Sequence, residues 1–235
     1  KELEDLMKNW VSFPALRTAR AMSIFERIKP VILEKINSTS RPQETLKAFG
    51  NFLSKLPAGI QIFSLFENNK QILDLLIDIL GTSGALSEYL VKNTDVLDSV
   101  IAPEFWEIWP SRKFLSSELE LILKSEMDYE AKLDLTRRWC KEWQFKIGVH
   151  YLRSQISAKR AGAQYAELAE ITLNIIWKEV LFEFAKKFGP EPGNGAAVIS
   201  MGSLGSGVLH ANSDLDLIII YDADGNDQSE GHRSL

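Results

Sequence analysis

The sequence predicts a mainly α-helical chain that ends in the first strands of an α/β core. Three observations carry this. Apolar residues recur at helical spacing through most of the chain. Gly189-Pro190-Glu191-Pro192-Gly193-Asn194-Gly195 cannot continue a helix. Two apolar runs of β type then follow, Ala196 to Met201 and Leu215 to Tyr221. At roughly 150 residues per domain, 235 residues make one large domain or two small ones. The expected organisation is a helical spacer over 1–125, then helices and first strands over 126–235.

In order along the chain, Ile24, Ile28, Val31, Ile32 and Ile36 mark a helical region from Ala19 to about Leu56, with Pro30 a kink or break and 37–42 a loop. Ile60 to Phe66 and Ile72 to Leu80 form a second group that Gly81 is expected to cap. Ser83 to Val91 and Thr94 to Ile101 read as two short helices. Pro103 to Pro110, with Phe105, Trp106 and Trp109, reads as an aromatic connector that plugs a seam between helices. A long helix is expected from about Asp128 to Ser157, with Cys140 a buried small hydrophobe beside Trp139 and Trp143 and His150 structural. Another runs from Ala166 to Phe188, where Lys186, Lys187 and Gly189 suit its end. The two β-type runs suit central strands buried on both faces.

Composition excludes several classes. A hydrophobic share of 45% with 25% charged residues is that of a globular protein and excludes disorder or a rod. The single cysteine excludes a disulfide framework or a Cys-rich metal site. A net charge of −5 leaves no basic excess for phosphate backbones, so no nucleic acid partner is expected. Apolar runs short of the ~18 residues of a membrane span, and the acidic start Lys1-Glu2-Leu3-Glu4-Asp5, point to a cytoplasmic protein with no membrane partner. The non-Met start and polar end read as a piece of something longer.

The chemistry concentrates between the strands. Gly202-Ser203-Leu204-Gly205-Ser206-Gly207 directly follows the first one, and glycines there let the backbone turn tightly and present N–H groups to phosphate oxygens. Ser203 adds a hydroxyl. No Gly-Lys-Ser/Thr follows, so the loop is not a Walker A motif. Asp214 and Asp216, two residues apart at the start of the second strand, are expected to share a face. Two adjacent carboxylates repel unless a cation lies between them, and hard oxygen donors suit Mg²⁺ or Mn²⁺. A bare strand end is the alternative, disfavoured because glycine loop and paired acids occur together in order.

A hydrophobic residue, Gly-Ser, ten residues and Asp-hydrophobic-Asp-hydrophobic resembles the signature of the nucleotidyltransferase superfamily that includes DNA polymerase β. The string from Met201 to Leu209 and from Ser213 to Asp222 closely resembles the glutamine synthetase adenylyltransferase family, as do Leu56 to Asn68 and Ser87 to Asp98. The resemblance implies a helical spacer before an α/β nucleotidyltransferase (polymerase β-like) core. It implies an Mg²⁺-dependent enzyme that transfers AMP from ATP to a tyrosine of glutamine synthetase, with a PII-type nitrogen regulatory protein as a further partner. By it, Gly202, Ser203, Gly205 and Ser206 bind the nucleotide and Asp214 and Asp216 hold the metal. The Leu56-Pro57-Ala58-Gly59 stretch and the Asp-Leu-Asp wording look more like the C-terminal, adenylylating half than the homologous deadenylylating half.

This chain departs from the family pattern in two ways. Many relatives carry Gly-Lys-Leu-Gly-Gly where it has Gly202-Ser203-Leu204-Gly205-Ser206, which removes a charge but keeps the backbone cradle. The superfamily's third carboxylate is expected beyond Leu235, because Asp222, Asp224 and Asp227 follow too closely and fail the calcium-loop pattern. The 235 residues alone are therefore expected to be inactive. Besides the deadenylylating half, the alternatives are another nucleotidyltransferase, disfavoured by the helical matches, and a non-catalytic helical docking module for glutamine synthetase or the PII-type regulator.

Overall fold

The computed structural model describes residues 7–93, 96–189 and 195–222. It divides into two compact units, Lys1–Glu107 and Ile108–Leu235. The acidic start, Thr94, most of the break before the strands, Asp224 and Asp227 lie outside the described residues. Among the described residues no helix is long and apolar enough to cross a membrane.

The first unit is built of α1 (Ala19–Asn37), α2 (Pro42–Lys55), α3 (Ile60–Asn68), α4 (Lys70–Thr82), α5 (Gly84–Lys92) and α6 (Val96–Ile101). The Thr18 hydroxyl accepts from the Ala21 N–H and starts α1, and Pro42 supplies a pre-set φ at the start of α2. Pro30 does not break the helix, which runs on to Asn37. Gly81 is likewise not the terminus expected of it: α4 continues to Thr82, and the Ser83 hydroxyl accepts from the Leu86 N–H to open α5. The faces these helices share are aromatic. Trp10 packs edge-on against Phe25 and Phe49, with centroids 6.0 and 5.4 Å away, and Phe25 lies 5.2 Å from Phe63. The 3₁₀ turn Pro103–Trp106 buries Phe105, and the Trp106 indole donates to the Val100 carbonyl at 2.9 Å.

The second unit holds α7 (Arg112–Lys124), α8 (Tyr129–Leu152) and α9 (Ala158–Phe188). The units meet in sequence at Glu107 and Ile108, ahead of the expected boundary at 125, because α7 packs with α8 and α9. That helix was not anticipated, yet Leu115, Leu119 and Leu123 stand at four-residue steps on its buried face. The expected helix from Asp128 to Ser157 stops at Leu152. Ser154 takes φ 57°, and the Ser157 hydroxyl caps the next helix by accepting from the Arg160 N–H, so α9 starts eight residues before the expected Ala166. Three indoles tie this unit together. The Glu118 carboxylate accepts from Trp139 Nε1 at 2.6 Å and Trp143 Nε1 at 3.0 Å, while Trp109 Nε1 donates to Glu167 at 2.8 Å. Burial pushes the neighbouring Cys140 thiol up, opposed by a hydrogen bond with Thr172. His150 is buried.

β1 (Gly195–Ser200) and β2 (Leu217–Asp222) form an antiparallel two-stranded sheet, from Gly195 opposite Asp222 to Ser200 opposite Leu217. Burial on both faces, expected from their composition, is not found. Every residue of β2 is exposed, because among the described residues no further strand and no covering layer packs on it.

Candidate functional site

The site lies in the connection between the two strands. The Met201 N–H donates to the Asp216 carbonyl at 2.8 Å, one step beyond the sheet ladder, so the two ends of the connection are fastened together. Between them, α10 (Gly202–Gly205) makes a single helical turn. Gly202 opens it at φ 53°, in the left-handed region that favours glycine. A Cβ on Gly202 would stand 2.5 Å from Asp216 Oδ2, so that carboxylate lies directly over the turn.

Internal hydrogen bonds shape the cradle. The N–H groups of Gly205, Ser206, Gly207 and Val208 donate to the carbonyls of Met201, Gly202, Leu204 and Ser203, at 2.9 to 3.1 Å. The Ser206 hydroxyl donates to the Ser203 carbonyl at 2.8 Å. Gly205 and Ser206 hold the turn in shape through these groups, and Gly202 and Ser203, whose carbonyls accept in the same set, open it. Below them Leu204 and Leu209, 2% and 4% exposed, anchor the connection in the core of the second unit with Tyr165 and Leu168.

The return path is closed by a second turn, in which the Ser213 N–H donates to the His210 carbonyl at 3.0 Å and the His210 N–H to Ser213 Oγ at 2.9 Å. Asp214 and Asp216 follow it, both exposed. They precede β2 rather than starting it, since the strand begins at Leu217. Carboxylates are hard oxygen donors of the kind that Mg²⁺ or Mn²⁺ takes, and of the two it is that of Asp216 that lies over the glycine turn. No group of three or more acids, histidines or cysteines able to hold a metal occurs among the described residues. A groove of about 560 Å³ elsewhere in the unit, lined by Leu123, Ile175, Phe182 and the Lys132–Glu179 ion pair, contains none of these residues.

The sequence model of the glutamate-ammonia ligase adenylyltransferase family matches residues 73–235, which include all of this connection. The chain belongs to that family. A bifunctional glutamine synthetase adenylyltransferase/adenylyl-removing enzyme of Brucella suis biovar 1 (strain 1330) is 34% identical over 224 residues, 95% of this chain and 23% of the relative. The protein of the same description from Mesorhizobium japonicum (strain LMG 29417 / CECT 9101 / MAFF 303099) is 35% identical over 220 residues, 93% of this chain and 22% of its own length. That of Rhodopseudomonas palustris (strain TIE-1) is 31% identical over 233 residues, 97% and 23%. The chain thus spans under a quarter of these adenylyltransferase relatives.

Of the residues singled out in the sequence, the structure brings Gly202 and Asp216 together and gives Gly205 and Ser206 a part in shaping the turn. The anchors Leu204 and Leu209 were missed. Their signal was two leucines in a stretch otherwise rich in small residues. The Leu209 N–H also donates to the carbonyl of Gly162, far upstream on α9, at 3.1 Å, a contact that no local pattern announces.

Proposed function

We propose that this chain carries the nucleotide-binding turn and two metal-binding carboxylates of a protein adenylyltransferase that moves AMP from ATP to a tyrosine of glutamine synthetase. The observation that carries the proposal is the placement of the Asp216 carboxylate over the Gly202 turn, in a chain of this family. The backbone of Gly202 and Ser203 receives the triphosphate, with Gly205 and Ser206 holding the turn around it. Asp214 and Asp216 hold Mg²⁺ or Mn²⁺, which when bound offsets negative charge on the phosphates. In the transfer, the tyrosine phenol oxygen bonds to the α-phosphorus, the α–β bridging bond breaks and pyrophosphate leaves. A phenol of pKa ~10 is protonated at neutral pH, so its proton must pass to a base or solvent as the bond forms.

The adenylylating assignment is supported by the Leu56-Pro57-Ala58-Gly59 stretch and the Asp214-Leu215-Asp216 wording. The homologous half would use the same acids in phosphorolytic removal of AMP. A cytoplasmic setting and a PII-type regulator as second partner belong to the same proposal.

Labelled AMP transfer from ATP to glutamine synthetase with Mg²⁺, in the intact protein and in Asp216→Asn, tests the reading. Loss of transfer by about a hundredfold or more is expected in the variant. Phosphate-dependent release of AMP from modified glutamine synthetase, without transfer, would reassign the chain to the removing half. Unchanged partner binding with no chemistry in either direction would leave a helical docking module.

A further inference from the structure

Gly162 lies in the second turn of α9 and is buried, with a helical backbone rather than the left-handed one that would demand glycine. Its missing side chain has another use. A Cβ there would stand 2.6 Å from Val208 Cγ1 and 3.3 Å from the Leu209 carbonyl oxygen. The Gly162 carbonyl in turn accepts the Leu209 N–H at 3.1 Å. Helix and connection meet backbone to backbone, and the Val208 side chain occupies the place that a Cβ at 162 would take.

That point lies between the two halves of the candidate site. On one side the Val208 N–H donates to the Ser203 carbonyl at 3.1 Å, which ties it to the phosphate turn. On the other, Leu209 leads into the closed turn at His210 to Ser213, from which Asp214 and Asp216 follow. We propose that Gly162 is a positioning residue for adenylyl transfer: its close contact with Val208 and Leu209 sets the spacing between the Gly202–Ser203 turn and the Asp214/Asp216 carboxylates. This inference rests on the functional reading above. Added bulk at 162 pushes Val208 and Leu209 away from α9, and the acids shift relative to the turn. Reactions that depend on aligned groups lose rate steeply with such displacements.

The test compares Gly162→Ala, Val208→Ala and the double variant in the intact protein, with Asp216→Asn alongside. Alanine is a better helix former than glycine, so a loss in Gly162→Ala is not a loss of α9. The expected result is a kcat for AMP transfer lowered about tenfold, a raised Mg²⁺ requirement, an unchanged KM for glutamine synthetase and a melting temperature lowered by no more than a few degrees. The double variant, in which the added methyl occupies space vacated by the valine, is expected to recover most of the rate. Val208→Ala alone adds no atom, and is expected to fall about threefold by loosening the same contact, a readout that remains if Gly162→Ala does not fold.

Wild-type kcat and Mg²⁺ dependence in a folded Gly162→Ala, beside an inactive Asp216→Asn, would overturn the positioning role and leave the functional reading intact. The same holds for a loss that the double variant does not relieve, or for wild-type behaviour of Val208→Ala where Gly162→Ala is unfolded. Full transfer by Asp216→Asn would overturn both.

Discussion

Ile32 and Ile36 on α1 are sealed inside the first unit at 0% and 2% exposure, whereas Ile218, Ile219 and Ile220 on β2 stand at 47%, 57% and 52%. The residue type is the same and the local structure is regular in both places. What differs is the second layer. α1 has α2, α3 and α4 packed around it, so each isoleucine meets side chains on its apolar stripe. Among the described residues β2 has a single neighbour, β1, so both faces and one edge are open. Apolar composition thus states that a strand can be buried, and only a packed partner buries it.

The comparison predicts a graded series of stability changes. The largest is expected for Phe49→Ala, which empties a fully buried site beside Trp10 and Phe52 and should cost about 3–5 kcal/mol in denaturant unfolding. A value under about 1 kcal/mol would show that the aromatic core of the first unit is loosely packed. Tyr165 sharpens the comparison from inside the second unit, where burial pushes its phenol up to about 12. Its folded pKa lies above the unfolded value of about 10, so its stabilising contribution is complete below pH 10 and is lost as pH rises towards 12. The difference between wild type and Tyr165→Phe should shrink over that window by about 2 kcal/mol, and a pH-independent difference would show that water reaches the phenol.

The smallest effect is expected on the open strand. Ile219→Ala in this chain should change stability by no more than about 0.5 kcal/mol, since most of the side chain is already in water. A cost of several kcal/mol would mean that β2 is covered in solution, and would break the contrast with α1.

Legibility followed the range of the interactions. The helices of the first unit could be read because a 3.6-residue period reports which side of a helix is buried wherever it packs. Their ends were harder. The run from Asp128 past Ser157 keeps helical character throughout, and the interruption depends on Ser154 adopting φ 57° and on the Ser157 hydroxyl capping a new helix. Helix α7 escaped notice although its leucine spacing and Ser111 cap were both in the sequence. At the site, the order of glycine turn and paired acids was readable. That Gly205 and Ser206 support the turn, and that both acids precede β2, required the hydrogen bonds.

The sequence by itself determined the helical regime, the change to strands after Gly189, and the residue types from which a phosphate turn and a carboxylate pair can be made, because these follow from periodicity, φ preference and charge over a few neighbouring residues. Only the tertiary structure decided that Asp216 lies over Gly202, that Gly162 meets Val208 and Leu209, and that β2 has β1 as its one strand neighbour among the described residues. Each is a contact, or the lack of one, between segments distant along the chain, and a local pattern carries no record of what will pack against it.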